Sequence, residues 1–257
     1  MLSFDTEEFD IPREQGKIIP DSEQIRVSKE GIFHVLDILK KYDVRATFYC
    51  TTKLLLGAPE IGNRIINEGH EMASHGCDHG NPLPEHVIES KKILESSFPV
   101  QIRGYRQPRM FAVDDKTLKK EGYEYNSSIN PTFIPGRFMH LSVSRTPFMK
   151  DGILQIPASV TPWFRFPLFW LSAHHLPMGL YIALVKRTLH HDGYFNTYFH
   201  PWEFYKILGV PEYGVPYIIG HNAGKPMEER LSRLIEALQA DGAEFITYNE
   251  FAHKYEK

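Results

Sequence analysis

The amino-acid sequence predicts an α/β protein built on a parallel sheet. Three observations predict it. Seven or eight short runs rich in β-branched and aromatic residues alternate with segments of helical periodicity. No stretch rich in Gly, Ser or Pro divides the chain, and no repeat is visible. The 257 residues, 42% of them hydrophobic, suffice for one full core, so residues 1–257 are expected to form a single domain. Alternation of this length gives either a doubly wound sheet or a barrel.

The elements follow in order. Leu2-Ser3-Phe4 reads as a strand running into a polar loop. Ser28 is a candidate N-cap for a helix through Tyr42, with Ile32, Val35, Leu36 and Leu39 at helical spacing. Arg45 to Cys50 is a β-branched and aromatic strand. Pro59 opens a helix that Gly69 ends, and Glu71-Met72-Ala73 is the strand that delivers the chain to His75. A helix is expected from Pro84 to Phe98, then a strand from Ile102 to Tyr105. A short helix from Asp114 to Glu121 precedes a strand at Tyr123 to Tyr125. Residues 130–152 read as irregular, and Ile153 to Pro157 as a strand. Helix near Gly179 to His191, strand from Tyr194 to Phe199 and helix from Met227 to Ala240 come next. Glu244 to Thr247 reads as the last strand and Glu250 to Tyr255 as the last helix.

Composition narrows the function. The net charge is −3, from 29 basic and 32 acidic residues, and no basic block suggests nucleic acid. Cys50 and Cys77 form no CxxC and are expected to be reduced thiols. The N-terminus has neither the charged nor the apolar region of a signal peptide, so a cytoplasmic location is expected, at most peripheral to a membrane. The most apolar stretch, residues 162–185, is interrupted by Arg165, Pro167, His174, His175 and Pro177, so it is not read as a membrane span. Its aromatic residues are expected to pack in the core or in a homo-oligomer contact. No GxGxxG follows a strand, and no P-loop is present.

The strand ends carry the chemistry, as they do in both parallel architectures. His75 and His79 stand four apart, which on a helical turn puts two imidazoles on one face. Cys77, between them, would point away. In extended chain Asp5 and Glu7 face one side. Arg106 and His200 follow two other strands. One mechanism fits this set. Glu7, His75 and His79 offer a divalent metal three ligands and leave positions for water and substrate. Asp5 takes the proton of the water, Arg106 holds Asp5 ionised, and His200 protonates a leaving amine. That is single-metal hydrolysis of an amide.

The order Ser3-Phe4-Asp5-Thr6-Glu7, Ser74-His75-Gly76-Cys77-Asp78-His79, Arg106-Gln107-Pro108 and Phe199-His200-Pro201-Trp202-Glu203 resembles the polysaccharide deacetylases of carbohydrate esterase family 4, the NodB-homology group. The resemblance implies a distorted (β/α) barrel of about seven parallel strands that removes an N- or O-acetyl group from a sugar. It implies Asp5 as base, His200 as acid, Arg106 as partner of the base, and His75 and His79 as ligands. Zinc is the expected ion, with cobalt or nickel as alternatives. Pro108, Asn126, Trp163 and Trp202 are candidates for substrate contact.

The chain departs from the family at three points. Thr6 replaces the second Asp of the first motif, so the third ligand falls to Glu7, with Glu8 as the fallback. This Asp-x-Glu form is similar to a branch with peptidoglycan deacetylase-like proteins and lipid-linked sugar deformylases. Arg109 stands where the third motif has an aromatic residue. Asn126 stands where an Asp would tune the acid histidine, which leaves Glu203 to orient His200. Two other functions remain open: a metal-independent hydrolase of cyclic amides resembling allantoinases, and a carbohydrate-binding relative with weak or no catalysis.

Overall fold

The computed structural model describes residues 1–255. The strands are β1 (Leu2–Thr6), β2 (Thr47–Cys50), β3 (Glu71–Ser74), β4 (Gly104–Tyr105), β5 (Tyr125–Asn126), β6 (Phe133–Ile134), β7 (Phe138–Met139), β8 (Phe148–Lys150), β9 (Ile153–Gln155) and β10 (Thr197–Phe199). Eight of them form one sheet in the order β10-β1-β2-β3-β4-β5-β9-β8. Seven run parallel, and β8 is antiparallel to β9 at one edge. The parallel count agrees with the expected barrel. However, β10 and β8 do not pair, so the sheet is a curled half-barrel rather than a closed one.

Alternation along β1 sorts its residues to two faces. Phe4 packs on Phe48 with ring centroids 5.1 Å apart, in the same apolar cluster as Ile32, Val35, Leu36 and Leu39 of the helix Asp21–Lys41. Ser3 and Asp5 face the concave side, where both hydrogen-bond Arg106. That side is filled by Tyr49, Tyr125, Leu154, Ile156 and Tyr248. The helix Tyr248–Tyr255 closes the end where the strands begin. Its first N–H groups bond Thr47 Oγ1 at 2.9 Å and Glu71 Oε2 at 3.0 Å, from the opening residues of β2 and β3. The carboxyl ends of the strands remain open, which is where parallel sheets place their sites.

Several expectations change. The first long helix begins at Asp21, capped by Pro20, and Ser28 is buried in its interior. Asp21 and Glu23 suit a helix N-terminus, and small or polar residues (Gln24, Ser28, Gly31) occupy the buried face where an apolar stripe was sought. Glu244 to Thr247 forms no strand. Thr247 and Glu250 instead make a reciprocal capping box, Thr247 N to Glu250 Oε2 at 2.9 Å and Glu250 N to Thr247 Oγ1 at 3.2 Å. The stretch 130–152 contains the β6–β7 hairpin and β8. Asp151-Gly152 joins β8 to β9 with φ of 49° and 78°, the positive pair that an Asp-Gly hairpin turn requires. Short helices at Thr52–Gly57 and Trp170–His175 were not anticipated. Among the described residues no helix is long and apolar enough to cross a membrane.

The helix Asp21–Lys41 meets the turn Pro201–Phe204 at Gly31, where an added Cβ would lie 1.9 Å from the Pro201 carbonyl oxygen. Alanine gains about 1 kcal/mol of helix propensity over glycine. The clash outweighs that, because neither backbone can yield without moving the other. Gly31→Ala is therefore expected to lower stability by about 1–3 kcal/mol. A urea midpoint equal to that of the unaltered protein would contradict this packing.

Candidate active site

Arg106 follows β4 and is fully buried. Its Nη1 lies 2.5 Å from Asp5 Oδ1 and 3.0 Å from Ser3 Oγ. Nε donates to the Ser127 carbonyl at 3.0 Å and Nη2 to Ser127 Oγ at 2.9 Å. Its Cζ sits 3.9 Å from the centre of the Tyr49 ring. Burial pushes the Asp5 carboxyl up, but Arg106, then His75 and His200, outweigh it and hold Asp5 below its ordinary value. Asp5 is thus ionised.

The two histidines come from a loop, not from the helical turn expected. β3 ends at Ser74, and Gly76 adopts φ 74°, which turns the chain. The rings still stack, with centroids 5.8 Å apart. His75 Nδ1 faces the Arg106 carbonyl at 2.7 Å, so it donates there and leaves Nε2 unprotonated when the ring is neutral. His79 Nδ1 faces Asp10 Oδ2 at 3.0 Å in the same manner. Glu7 Oε1 accepts from Trp202 Nε1 at 3.3 Å. Its Oε2 lies 3.3 Å from His75 Nε2 and 3.2 Å from His79 Nε2. Glu7 Oε2 and His75 Nε2 are both buried without a hydrogen-bond partner.

Orphaned buried polar atoms are costly, and three convergent ligand atoms relieve the cost by binding an ion. Donors around a tetrahedral ion at about 2.1 Å stand roughly 3.4 Å apart. Glu7, His75 and His79 therefore fit a divalent metal. Glu8, the fallback ligand, is engaged elsewhere. It accepts from Thr51 Oγ1 at 2.8 Å and from the His79 backbone N–H at 3.0 Å, which pins the loop.

His200 follows β10. Glu203 Oε1 lies 2.8 Å from His200 Nδ1 and 2.6 Å from its backbone N. The ring stacks on Trp202 with centroids 4.7 Å apart. Burial disfavours the imidazolium, but Glu7, then Glu203 and Asp5, outweigh it, so His200 titrates above its ordinary value. A cavity of about 270 Å³ opens onto Asp5, Glu7, His79, His200 and Trp202.

A family model described as polysaccharide deacetylase matches residues 21–133. The match covers less than half of the chain and makes residues 21–133 similar to the polysaccharide deacetylases. The matched segment contains His75, His79 and Arg106, and the fold adds Asp5, Glu7 and His200 from outside it. Enzymes of this family generally depend on a divalent metal. An uncharacterised 30.6 kDa protein of Geobacillus stearothermophilus is 37% identical over 97 residues, 38% of this chain and 31% of that one. A peptidoglycan deacetylase of Helicobacter pylori is 25% identical over 125 residues, 44% of this chain and 43% of that one. The chain thus spans less than half the length of these curated relatives. Solved structures share the fold at low identity. A putative polysaccharide deacetylase from Mycobacterium smegmatis aligns over 98% of this chain and 89% of its own at 19% identity and TM-score 0.63. Puue allantoinase aligns over 98% and 88% at 13% identity and TM-score 0.64. A CE4 family pseudoenzyme from Bacillus anthracis aligns over 98% and 64% at 13% and 0.55.

The fold distributes the remaining candidates unevenly. Trp202 is buried and lines the cavity. Pro108 is buried beneath Gly76 and does not line it, whereas Arg109 and Met110 do. Asn126 lies in a neighbouring cavity, where it donates to Asp115 and Gln155 at 3.1 Å each. Trp163 is 72% exposed in an apolar groove with Phe164 and Phe166, away from the cavity. Thr161 and Pro162 line the same groove, and Trp170 from the same aromatic segment lines the site instead. Asp10 is the residue sequence reasoning missed. It follows Asp5 and Glu7 in the polar loop, but beyond the strand no periodicity shows where it points.

Removing one member of the buried Arg106–Asp5 pair strands the other charge, at a cost of about 3–5 kcal/mol. Arg106→Gln is expected to lose stability in that range by urea denaturation. Asp5→Asn in the same chain should recover part of it, and additive losses would mean that the pair is not coupled.

Proposed function

We propose that residues 1–257 form a catalytic domain that hydrolyses an N-acetyl (or O-acetyl) group of a sugar or polysaccharide with a divalent metal, zinc foremost and cobalt or nickel as alternatives. The observation that carries this reading is the convergence of Glu7 Oε2, His75 Nε2 and His79 Nε2 beside the ionised Asp5 and the buried His200. The peptidoglycan deacetylase named among the relatives supports an N-acetylated glycan as substrate.

Glu7, His75 and His79 would hold the metal, which when bound would supply Lewis acidity toward the acyl oxygen and toward water. Arg106 occupies Asp5 Oδ1 and leaves Oδ2 to take the proton of the attacking water. His200 donates Nδ1–H to Glu203, which leaves Nε2 to protonate the departing sugar amine. Trp202 fixes the outer oxygen of Glu7 and backs the His200 ring, so both halves of the site share one wall. Asp10 orients His79 and raises its basicity as a ligand.

Purified protein is expected to take up about one divalent ion per chain and to release acetate from N-acetylglucosamine oligomers. No bound ion, and no acetate with added zinc, cobalt or nickel, overturns the reading. Asp5→Asn should keep the ion and lose about 10²–10⁴ in kcat. Asp10→Ala should weaken metal affinity by about 10–100-fold, measured by competition with a chelator. Activity on a cyclic amide that survives His75→Ala would assign the site to metal-independent ring opening instead.

A further inference from the structure

Glu203 is fully buried between two imidazoles. Its Oε1 takes the backbone N–H and Nδ1 of His200, and its Oε2 lies 2.9 Å from Nε2 of His174. His174 belongs to the helix Trp170–His175 and is itself fully buried. Its Nδ1 is in a short hydrogen bond with the His221 carbonyl oxygen. Asn222 donates to the His174 carbonyl at 2.7 Å, and Arg230 donates to the Ala173 carbonyl at 2.6 Å, so the helix end is tied on two sides.

The partners dictate the protons. A peptide carbonyl only accepts, and an ionised carboxylate only accepts. With acceptors at both nitrogens, His174 brings a proton to each. The alternative, a neutral Glu203 donating Oε2–H to Nε2, would give the two donors on Oε1 an uncharged carbonyl oxygen, a weaker acceptor than a carboxylate. It also conflicts with the titration of Glu203: burial raises it, but the bonds from His174 and His200 outweigh burial and lower it. The other charged or titratable groups around His174 do not compete for this pairing. His175 and His221 stack on each other with centroids 5.4 Å apart, Arg230 is spent on main-chain carbonyls, and Tyr181 donates to the Leu168 carbonyl at 3.1 Å.

We infer that His174 is a buried imidazolium that serves as counter-ion to Glu203, and so is a positioning residue for His200. This rests on the proposed role of His200 as acid. Without His174, Glu203 would face His200 as an uncompensated buried carboxylate and hold its Nδ1 proton more strongly, weakening Nε2 as a donor. With His174, Glu203 is locked in place and its charge is shared between two rings.

The experiment is ¹⁵N-histidine NMR of the whole metal-loaded chain, with His174→Gln as the companion variant. In the unaltered protein both ring nitrogens of His174, assigned by their loss in the variant, are expected to carry protons. In His174→Gln the His200 Nδ1 proton is expected to move downfield. Its kcat should fall about tenfold or more at nearly constant KM, with metal content retained. A bare ring nitrogen on His174 overturns the inference. So does a folded variant with unchanged kcat and an unmoved His200 resonance. If the unaltered protein releases no acetate, the deacetylase reading fails instead, and the His174 resonances alone still decide its charge.

Discussion

The site depends on one buried ion pair. Arg106 enters the concave side of the half-barrel fully desolvated, a placement that only a matching charge and a full set of acceptors can sustain. Asp5 supplies the charge, and Ser3, Ser127 and Tyr248 supply acceptors from β1, the end of β5 and the last helix. Because those partners lie on separate elements, the sheet must curl around the guanidinium to bring them together. Arg106 also lends its carbonyl to His75 Nδ1, which sets the tautomer of a proposed ligand. A single residue thus couples the ionisation of the proposed base to the donor state of the metal set.

Five buried carboxylates meet around the cavity, and their partners separate their tasks. Asp5 is spent on Arg106, Glu8 on Thr51 and the His79 backbone, Asp10 on His79 Nδ1, and Glu203 on His200. Glu7 differs. One of its oxygens accepts from Trp202, and the other has no hydrogen-bond donor and faces two imidazole nitrogens. Such an oxygen is costly in the interior, and the proposed metal would complete it. Adjacency in sequence leaves Glu7 and Glu8 open; the Thr51 hydroxyl holds Glu8 away from the histidine pair, which leaves Glu7 as the proposed third ligand.

Much of this was legible in the sequence because strand ends are legible. Asp5, Glu7, His75, Arg106 and His200 each sit at or just past a predicted strand, and a parallel sheet gathers such positions at one edge. Residues that act through loops were not. Asp10 lies four residues past β1, where the chain has left the strand, and His174 lies in a six-residue helix hidden in an aromatic segment that read as core. His75 and His79 do come together as their spacing suggests, but through a loop with a left-handed Gly76 rather than on a helical turn. Some errors had local signals. Thr247-x-x-Glu250 is a capping box and Asp151-Gly152 a hairpin turn, and both are rules of spacing rather than of hydrophobicity.

The departures from the family pattern also become a single rearrangement. Arg109, held at φ 59° and lining the cavity where an aromatic was expected, pairs with Asp10 at 3.1 Å and with Glu14. It therefore strengthens the acid that orients His79. Asn126 is neutral and so gives no charge to His200, and Asp115 and Gln155 hold its amide in a neighbouring cavity. Glu203, three residues from His200, takes that task, and a carboxylate so close to a buried imidazole would bind its proton too tightly if left alone. His174 supplies the opposing charge. On this proposal the absence of a distant acid, the presence of a near one and the burial of a second histidine are parts of one compensated arrangement.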